Sequence, residues 1–294
     1  MNHSVLITGK HGYIGENLYH WLDEKETFWC IETLSLRNDE WKEVDFNKYD
    51  VIIHTVGVAH QQINNENRHL YYSINCDLAV DLAKHAKQSG VKHFIYISSM
   101  SVYSDSETVI YGDTIENPDN DYGKGKLLAE NKLKELEDDN FWVSIVRPPM
   151  VYGKGCKGNY NKLRKISLSI PIFPKVNNYR SMIYIDNLSE FIRQIILSEC
   201  HGLFQPQNRE LVNTSNWVAE IAKVNGHQIY LSSLLGKMVM IGLRIIRLNV
   251  LQKAFGSSYY EPSISRYENI NYQIVSFEES IKKTEGKVDE CINS

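Results

Sequence analysis

The stretch "DYGKGKLLAEN" places Tyr122 four residues ahead of Lys126. On a helix that spacing sets both side chains on one face. A free phenol titrates near about 10 and a free lysine amine near about 10.4. An ammonium beside the phenol stabilises phenolate, which brings acid–base exchange within reach of neutral pH. A second group stands at the start of the chain. In "LITGKHGYIGENL" glycines occupy positions 9, 12 and 15, directly after an apolar run and where a helix begins near Tyr13. Glycine weakens a helix or strand interior by roughly 0.5–1 kcal/mol relative to alanine, so the arrangement needs a use. A tight turn, close approach of a pyrophosphate to backbone N–H groups, and close helix–strand packing are such uses. The N-terminus of the following helix adds free N–H groups and partial positive charge. Gly9, Gly12, Tyr13, Ile14 and Gly15 are thus the expected dinucleotide phosphate loop.

These residues need elements to hold them. Apolar runs rich in β-branched and aromatic residues predict strands at 4–9, 28–36, 50–57, 92–99 and 141–148, with helices near 13–25, 70–89 and 121–137 between them. Strand–helix alternation with nearly continuous apolar strands predicts an α/β fold, a Rossmann-type doubly wound parallel sheet covered on both faces. After Pro148 the sequence becomes turn-rich in "RPPMVYGKGCKGN" and its segments shorten. The expected division is a dinucleotide-binding domain over 1–155 and a smaller substrate-binding lobe over 156–294, with segments near 180–200 returning to the first.

Composition narrows the function. Across 294 residues, 43% are hydrophobic and 23% charged, the balance of a soluble globular protein. The net charge of −4 is mixed along the chain, so no basic face points to nucleic acid. Five cysteines, odd in number and without a Cys-x-x-Cys pair, fit a reducing cytoplasm and point to no metal site. The opening "MNHSVLITG" carries no signal-peptide pattern. The apolar stretch 231–255 is interrupted by Lys237, Arg244 and Arg247, so no transmembrane segment is expected. We read it as a packing helix of the substrate lobe rather than a basic amphipathic helix touching a membrane-borne substrate.

The second strand selects the cofactor. Asp or Glu near its end suits the ribose 2′-OH of NAD, whereas arginine suits the 2′-phosphate of NADP. Here it runs out as "TLSLRN", with Ser35 and Arg37 where an acid would stand. NADP is therefore expected, with NAD the alternative if the strand ends a turn earlier, at Glu32.

Together "TGKHGYIG", "DVIIHTVG", "YISSMSVY", "YGKGKLLAE", "RPPMVYG" and "RSMIYIDN" resemble, in order and spacing, the extended short-chain dehydrogenase/reductase family, also described as the NAD-dependent epimerase/dehydratase family. Within it the chain is similar to nucleotide-sugar epimerases, dehydratases and 4-ketoreductases of bacterial surface polysaccharide pathways. The resemblance covers most of residues 4–190 and, at "SFEESIKKT", the final helix; residues 200–270 carry almost none of it. It implies that Tyr122 is the proton donor or acceptor at the sugar oxygen, that Lys126 holds the nicotinamide ribose and tunes Tyr122, and that Ser99 hydrogen-bonds the reacting oxygen. Ser98 and Ser101 are alternatives for that task. It implies a cofactor role for Pro148, a substrate role for Asn159, and a grip of Arg180 on the nucleotide diphosphate, while Asn75 is either structural or catalytic. It also implies a nucleotide-sugar substrate, UDP-linked, and a homodimer. His54, on an apolar strand, reads as a core histidine and His11 as a loop residue. Two departures stand out: "VYSD" replaces the usual "VYG", and the acid after the second strand is missing. The reading is NADP-dependent reduction of a 4-keto group on a UDP-linked acetamido sugar. The alternatives are an NAD-dependent UDP-sugar 4-epimerase and a dinucleotide-binding sensor without chemistry.

Tyr122→Phe should fold and bind cofactor yet lose about 10²- to 10⁴-fold in turnover, the usual contribution of a positioned acid–base group. Near-normal turnover in that variant would remove Tyr122 from the mechanism.

Overall fold

Strands β1 (Ser4–Thr8), β2 (Cys30–Leu34), β3 (Val51–His54), β4 (His93–Ile97), β6 (Trp142–Val146) and β10 (Gly202–Phe204) form one sheet in the order β10-β6-β4-β3-β1-β2, with every neighbouring pair parallel. The structure is a computed structural model that describes residues 2–58, 68–246 and 255–286. Successive strand residues point to opposite faces, and the sequence fills both with apolar side chains. Val5, Ile7, Ile53, Ile95 and Ile97 join Leu18 and Leu22 of α1 (Tyr13–Lys25) and Leu188, Phe191, Ile192 and Ile195 of α6 (Ile185–Leu197). Leu6, Ile52, Phe94 and Tyr96 join Ala79, Ala83 and Ala86 of α3 (Leu78–Gln88) and Ala129 and Leu133 of α4 (Asp121–Lys134). Each large apolar side chain so buried contributes about 1.5–3 kcal/mol, and the two layers make the predicted doubly wound α/β fold.

The expected strands are found, each trimmed by one to four residues where the chain leaves the sheet. The helix expected over 70–89 is divided: α2 (Arg68–Tyr72), a π-helical turn over Ser73–Asp77, then α3. Such turns are rare insertions that re-aim side chains, and this one carries Asn75. Outside the large sheet lie short two-stranded ladders: β7 (Met150–Tyr152) with β9 (Met182–Tyr184), β8 (Ile172–Pro174) with β11 (Tyr230–Ser232), and β5 (Val109–Ile110) with β12 (Tyr259–Tyr260). Helices α5 (Asn159–Ser169), α7 (Thr214–Val224) and α9 (Phe277–Thr284) accompany them. Ser276 caps α9, accepting from the Glu279 N–H at 3.3 Å.

Helix α8 (Ser233–Ile246) opens the stretch expected to pack, and residues 247–254 lie outside the described residues. Gly236 packs against β8's exit, where a Cβ would lie 1.9 Å from the Lys175 carbonyl oxygen. Its other side exposes Leu234, Met238 and Ile241. Only part of that helix surface is therefore covered among the described residues. None of the described helices is long and apolar enough to cross a membrane.

Two histidines sit in the central sheet with one hydroxyl partner each, His54 Nδ1 2.8 Å from Thr8 Oγ1 and His93 Nε2 2.7 Å from Ser144 Oγ. Burial pushes both imidazoles down from 6.5 to about 3. Between those limits the unfolded chain binds more protons than the native one, so stability rises with pH across the window. Urea midpoints should fall as pH drops from 6.5 towards about 3, and His93→Gln should flatten that fall. An unchanged slope in the variant would show that His93 is not part of it.

Candidate functional site

The sheet order reverses around β1: the chain goes outward to β2 and then crosses to β3 on the other side. A crevice opens there at the carboxyl ends of the strands, the usual ligand position in such sheets. The glycine loop leaves β1 into that crevice. Gly9 adopts φ +100°, and a Cβ on it would lie 2.5 Å from Thr55 Oγ1 at the exit of β3. A Cβ on Gly15 would lie 2.6 Å from the Gly9 carbonyl oxygen. The loop is thus folded tightly against Thr55, whose hydroxyl donates to the Thr8 carbonyl at 2.7 Å. Gly12 is the N-cap of α1 and no side chain caps that end, which leaves first-turn N–H groups for an anion. These features fit a dinucleotide pyrophosphate. Tyr13 and Ile14 bring their main chain here. The Tyr13 hydroxyl is instead buried near Gly153, without a hydrogen-bond partner among the described residues.

β2 ends at Leu34, whose carbonyl accepts the Gly9 N–H at 3.0 Å. Ser35 follows at once and Arg37 is exposed. Glu32 lies within β2, and its carboxylate accepts from Tyr49 Oη at 2.8 Å and Lys48 Nζ at 3.0 Å. Tyr49 and Lys48 together hold that carboxyl below its ordinary value. Beside it lies a groove of about 540 Å³ lined by Lys10, His11, Glu16, Glu32 and Thr33 among others.

At the ends of β3 and β4 the residues expected to react converge. Asn120 caps α4, its Oδ1 accepting the Gly123 N–H at 2.9 Å. One turn on, Lys126 is 2% exposed. Its Nζ donates to the Ile97 carbonyl at 2.8 Å and the Val56 carbonyl at 3.4 Å, and stands 4.5 Å from the Tyr96 ring centroid. Burial pulls the amine down to about 7, with Glu130 opposing. Ser99 caps the short 3-10 turn Met100–Val102, accepting from the Ser101 N–H at 3.1 Å and donating to Ser101 Oγ at 3.2 Å. Burial raises the Tyr122 phenol, and a hydrogen bond with Ser99 acts against that rise. Of the three serines, Ser99 is therefore the one whose side chain acts on the Tyr122 phenol. Ser98 is buried and donates to Glu130.

Asn75 clamps the exit of β3: Oδ1 accepts the Val58 N–H at 2.9 Å and Nδ2 donates to its carbonyl at 3.2 Å. A Cβ on Gly57 would lie 3.1 Å from both Asn75 Oδ1 and Lys126 Nζ. Pro148 is buried after β6, its carbonyl accepting the Met100 N–H at 2.9 Å. Asn159 is the exposed first residue of α5. Arg180 precedes β9 and is half-buried, with Nε donating to the Gly256 carbonyl at 3.1 Å. Burial lowers its guanidinium and the charge of Asp105 opposes that. In the "VYSD" departure the Ser104 hydroxyl and the Asp105 backbone N–H donate to the Asp119 carboxylate at 3.0 and 2.5 Å, and Asp105 brings negative charge towards Arg180.

Several participants escaped sequence reasoning. Glu130 and Arg147, both fully buried, pair at 2.5 Å behind Ser98; a glutamate four residues after Lys126 was the one available signal. The two glycines inside α4 went unread as well. A Cβ on Gly123 would lie 2.0 Å from the Ser101 carbonyl oxygen, and one on Gly125 3.0 Å from that of Tyr71. They let α4 press against the Ser99 turn and the π-helical segment. Among the described residues no group of three or more His, Cys, Asp and Glu is arranged to hold a metal ion.

The glycine loop at the strand ends and the Tyr122–Lys126 pair on α4 are the features of a dinucleotide-dependent α/β enzyme. The chain belongs to the NAD dependent epimerase/dehydratase family, which it matches over residues 5–200. It is 32% identical over 248 residues, 76% of each chain, to UDP-glucose 4-epimerase of Vibrio cholerae. It is 24% identical over 283 residues, 90% of this chain and 84% of the other, to N-acetyl-alpha-D-glucosaminyl-diphospho-ditrans,octacis-undecaprenol 4-epimerase of Escherichia coli O157:H7. In fold it resembles dTDP-4-dehydrorhamnose reductase from Bacillus anthracis str. Ames in complex with NADP, with TM-score 0.74, 19% identity and 98% and 100% of the two chains covered. UDP-glucuronic acid 4-epimerase from Bacillus cereus in complex with NAD gives 0.75, 17%, and 97% and 96%. The family and the Rossmann-type fold expected from the motifs are thus established.

Gly123→Ala should push α4 off the Ser99 turn, because the clash is with backbone rather than a movable side chain. We expect a loss of about 1–3 kcal/mol in stability and a turnover defect beyond it, read from urea denaturation and from turnover well below the midpoint. Wild-type behaviour in both would show that the contact is not tight.

Proposed function

We propose that the protein uses NADPH to reduce the 4-keto group of a UDP-linked acetamido sugar, in the cytoplasm. One observation carries the choice: among the described residues the carboxylate of β2, Glu32, is already engaged by its neighbours rather than free for a ribose 2′-OH. Glu32 is held by Tyr49 and Lys48, while Ser35 and Arg37 follow the strand and Lys10 and His11 border the adjoining groove. Ser35 and Arg37 suit a 2′-phosphate, and Lys48 offsets the charge of Glu32 beside them. A reductant consumed in each cycle is more naturally NADPH than NADH.

In this reading the Gly9, Gly12, Tyr13, Ile14 and Gly15 backbone holds the pyrophosphate, Ser35 and Arg37 the 2′-phosphate, and Lys126 the nicotinamide ribose, with Pro148 bordering the ring. When bound, NADPH supplies the hydride that reduces C4. Tyr122 gives its proton to the oxygen emerging at C4, and Ser99 donates a hydrogen bond to that oxygen as its charge grows. Lys126 in its ammonium form favours phenolate, so it assists the departure of that proton. Arg180 meets the substrate diphosphate with its planar fork, replacing the company of Asp105, and Asn159 offers a polar side chain to the sugar.

A 4-epimerase using the same three residues is the second reading, favoured by the 32% identity to a UDP-glucose 4-epimerase. The two differ in what becomes of the cofactor. A reductase should oxidise NADPH only when a 4-keto UDP-sugar is added, one for one with sugar reduced, and should carry little dinucleotide through purification. Arg37→Ala should raise the apparent NADPH constant and leave NADH little changed. Tightly retained NAD with interconversion of C4 epimers and no net NADPH loss would sink the reductase and establish the epimerase. A polyprenyl-diphosphate-linked sugar belongs in the same substrate panel, given the E. coli relative.

A further inference from the structure

One buried carboxylate joins the three segments that carry the reactive groups. Glu130 lies one turn beyond Lys126 on α4 and is 0% exposed. It accepts from the Ser98 hydroxyl at the end of β4, and from Arg147, just after β6, through Nε at 3.1 Å and Nη2 at 2.5 Å. The preceding residue on β4, Ile97, takes the Lys126 amine at 2.8 Å. Residues 97 and 98 thus receive successive turns of α4, and residue 99 is the hydroxyl joined to Tyr122. Arg147 continues the network to Tyr103 Oη at 2.5 Å and Glu116 at 2.7 Å.

A buried ion pair is weak evidence for stability, because desolvation consumes most of the Coulomb gain. An apolar pair could hold the helix equally well. It could not present a negative charge to Lys126, nor fix the helix by directional hydrogen bonds. Apart from Glu130 and the Arg147 guanidinium paired with it, the described groups named against the amine are neutral. His54 on β3 is kept uncharged by burial, the Tyr96 phenol on β4 is raised far above its ordinary range by burial, and Tyr122 is raised likewise. Asn75 contributes an amide, and Val56 and Ile97 contribute carbonyls. We propose that Glu130, held by Ser98 and Arg147, is a positioning residue that sets the charge and the alignment of the Lys126 amine. The inference rests on reading Ser99, Tyr122 and Lys126 as the reacting set.

The charge is tested without substrate. In full-length protein with ¹³C-labelled lysine, Lys126→Met assigns the Lys126 signal, and its titration is followed by NMR with and without NADPH. Glu130→Gln should lower the midpoint of Lys126 by about one pH unit from its native value, as expected for loss of a neighbouring opposite charge. An unmoved midpoint overturns the proposed charge role. Alignment is tested by Ser98→Ala, which leaves the ion pair in place. Its kcat should fall about tenfold while the sugar KM and NADPH Kd stay within about threefold, and Ser98→Thr should restore it, as for a misplaced catalytic group. A kcat within about twofold of wild type in Ser98→Ala, or equal losses in kcat and Kd, overturns the alignment role, and does so even if Glu130→Gln fails to fold. Wild-type protein inert with every sugar would count against the reductase and epimerase readings, and the NMR titration would still decide the charge role of Glu130.

Discussion

Everything near the site is arranged around a lysine amine taken out of water. Lys126 is buried where β3 and β4 end, and an isolated ammonium there would be strongly disfavoured. The chain meets this with two main-chain carbonyls, an aromatic face and a carboxylate one turn away. The result is an amine brought down to about 7, poised between its charged and neutral forms near neutral pH. That poise makes it useful beside Tyr122, and it exists only while α4 stays close to the strand ends.

Closeness is secured by absence of side chains as much as by contacts. Gly123 lets α4 touch the Ser101 carbonyl, and Gly57 leaves the space that Asn75 and Lys126 occupy. Across the crevice, Gly9 and Gly15 fold the first loop against Thr55. The same β3 exit therefore borders the glycine loop through Thr55 and the lysine through Val56, so in the proposed reading consecutive residues tie cofactor binding to the acid–base pair. The π-helical turn contributes from below, since Asn75 holds Val58 with both ends of its amide.

The second half of the chain reaches this centre through a few specific links. The β5–β12 ladder fastens the Tyr259–Tyr260 segment to the loop between Ser99 and α4, and Tyr260 donates to the Arg147 carbonyl at 2.9 Å. Arg180, on the same side, is joined to Gly256 and faced by the charge of Asp105. In the proposed reading, a cation partly desolvated in this way gains from an arriving diphosphate, whose charge replaces a weaker neighbour.

How much of this the sequence determined follows from the range of each interaction. Periodicity is local, so the parallel strands, α1 and α4 could be read directly: Val5 and Ile7 face one layer and Leu6 the other whatever the rest does. The spacing of Tyr122 and Lys126, and the glycine steps after β1, are local as well. Choices among neighbours were not. Ser98 and Ser99 are equally good hydroxyls in a string of letters, and only the approach of Glu130 from another element gives Ser98 to the buried network and leaves Ser99 to Tyr122. Glu32 is an ordinary strand glutamate until Tyr49 and Lys48 fold over it. Arg147 sat unnoticed before two prolines because its partners are 17 and 31 residues away. The sequence by itself settled which residues could do chemistry and which layers they rest on. Tertiary structure decided which of them meet, because pairing between distant segments depends on burial and close approach that no local pattern encodes.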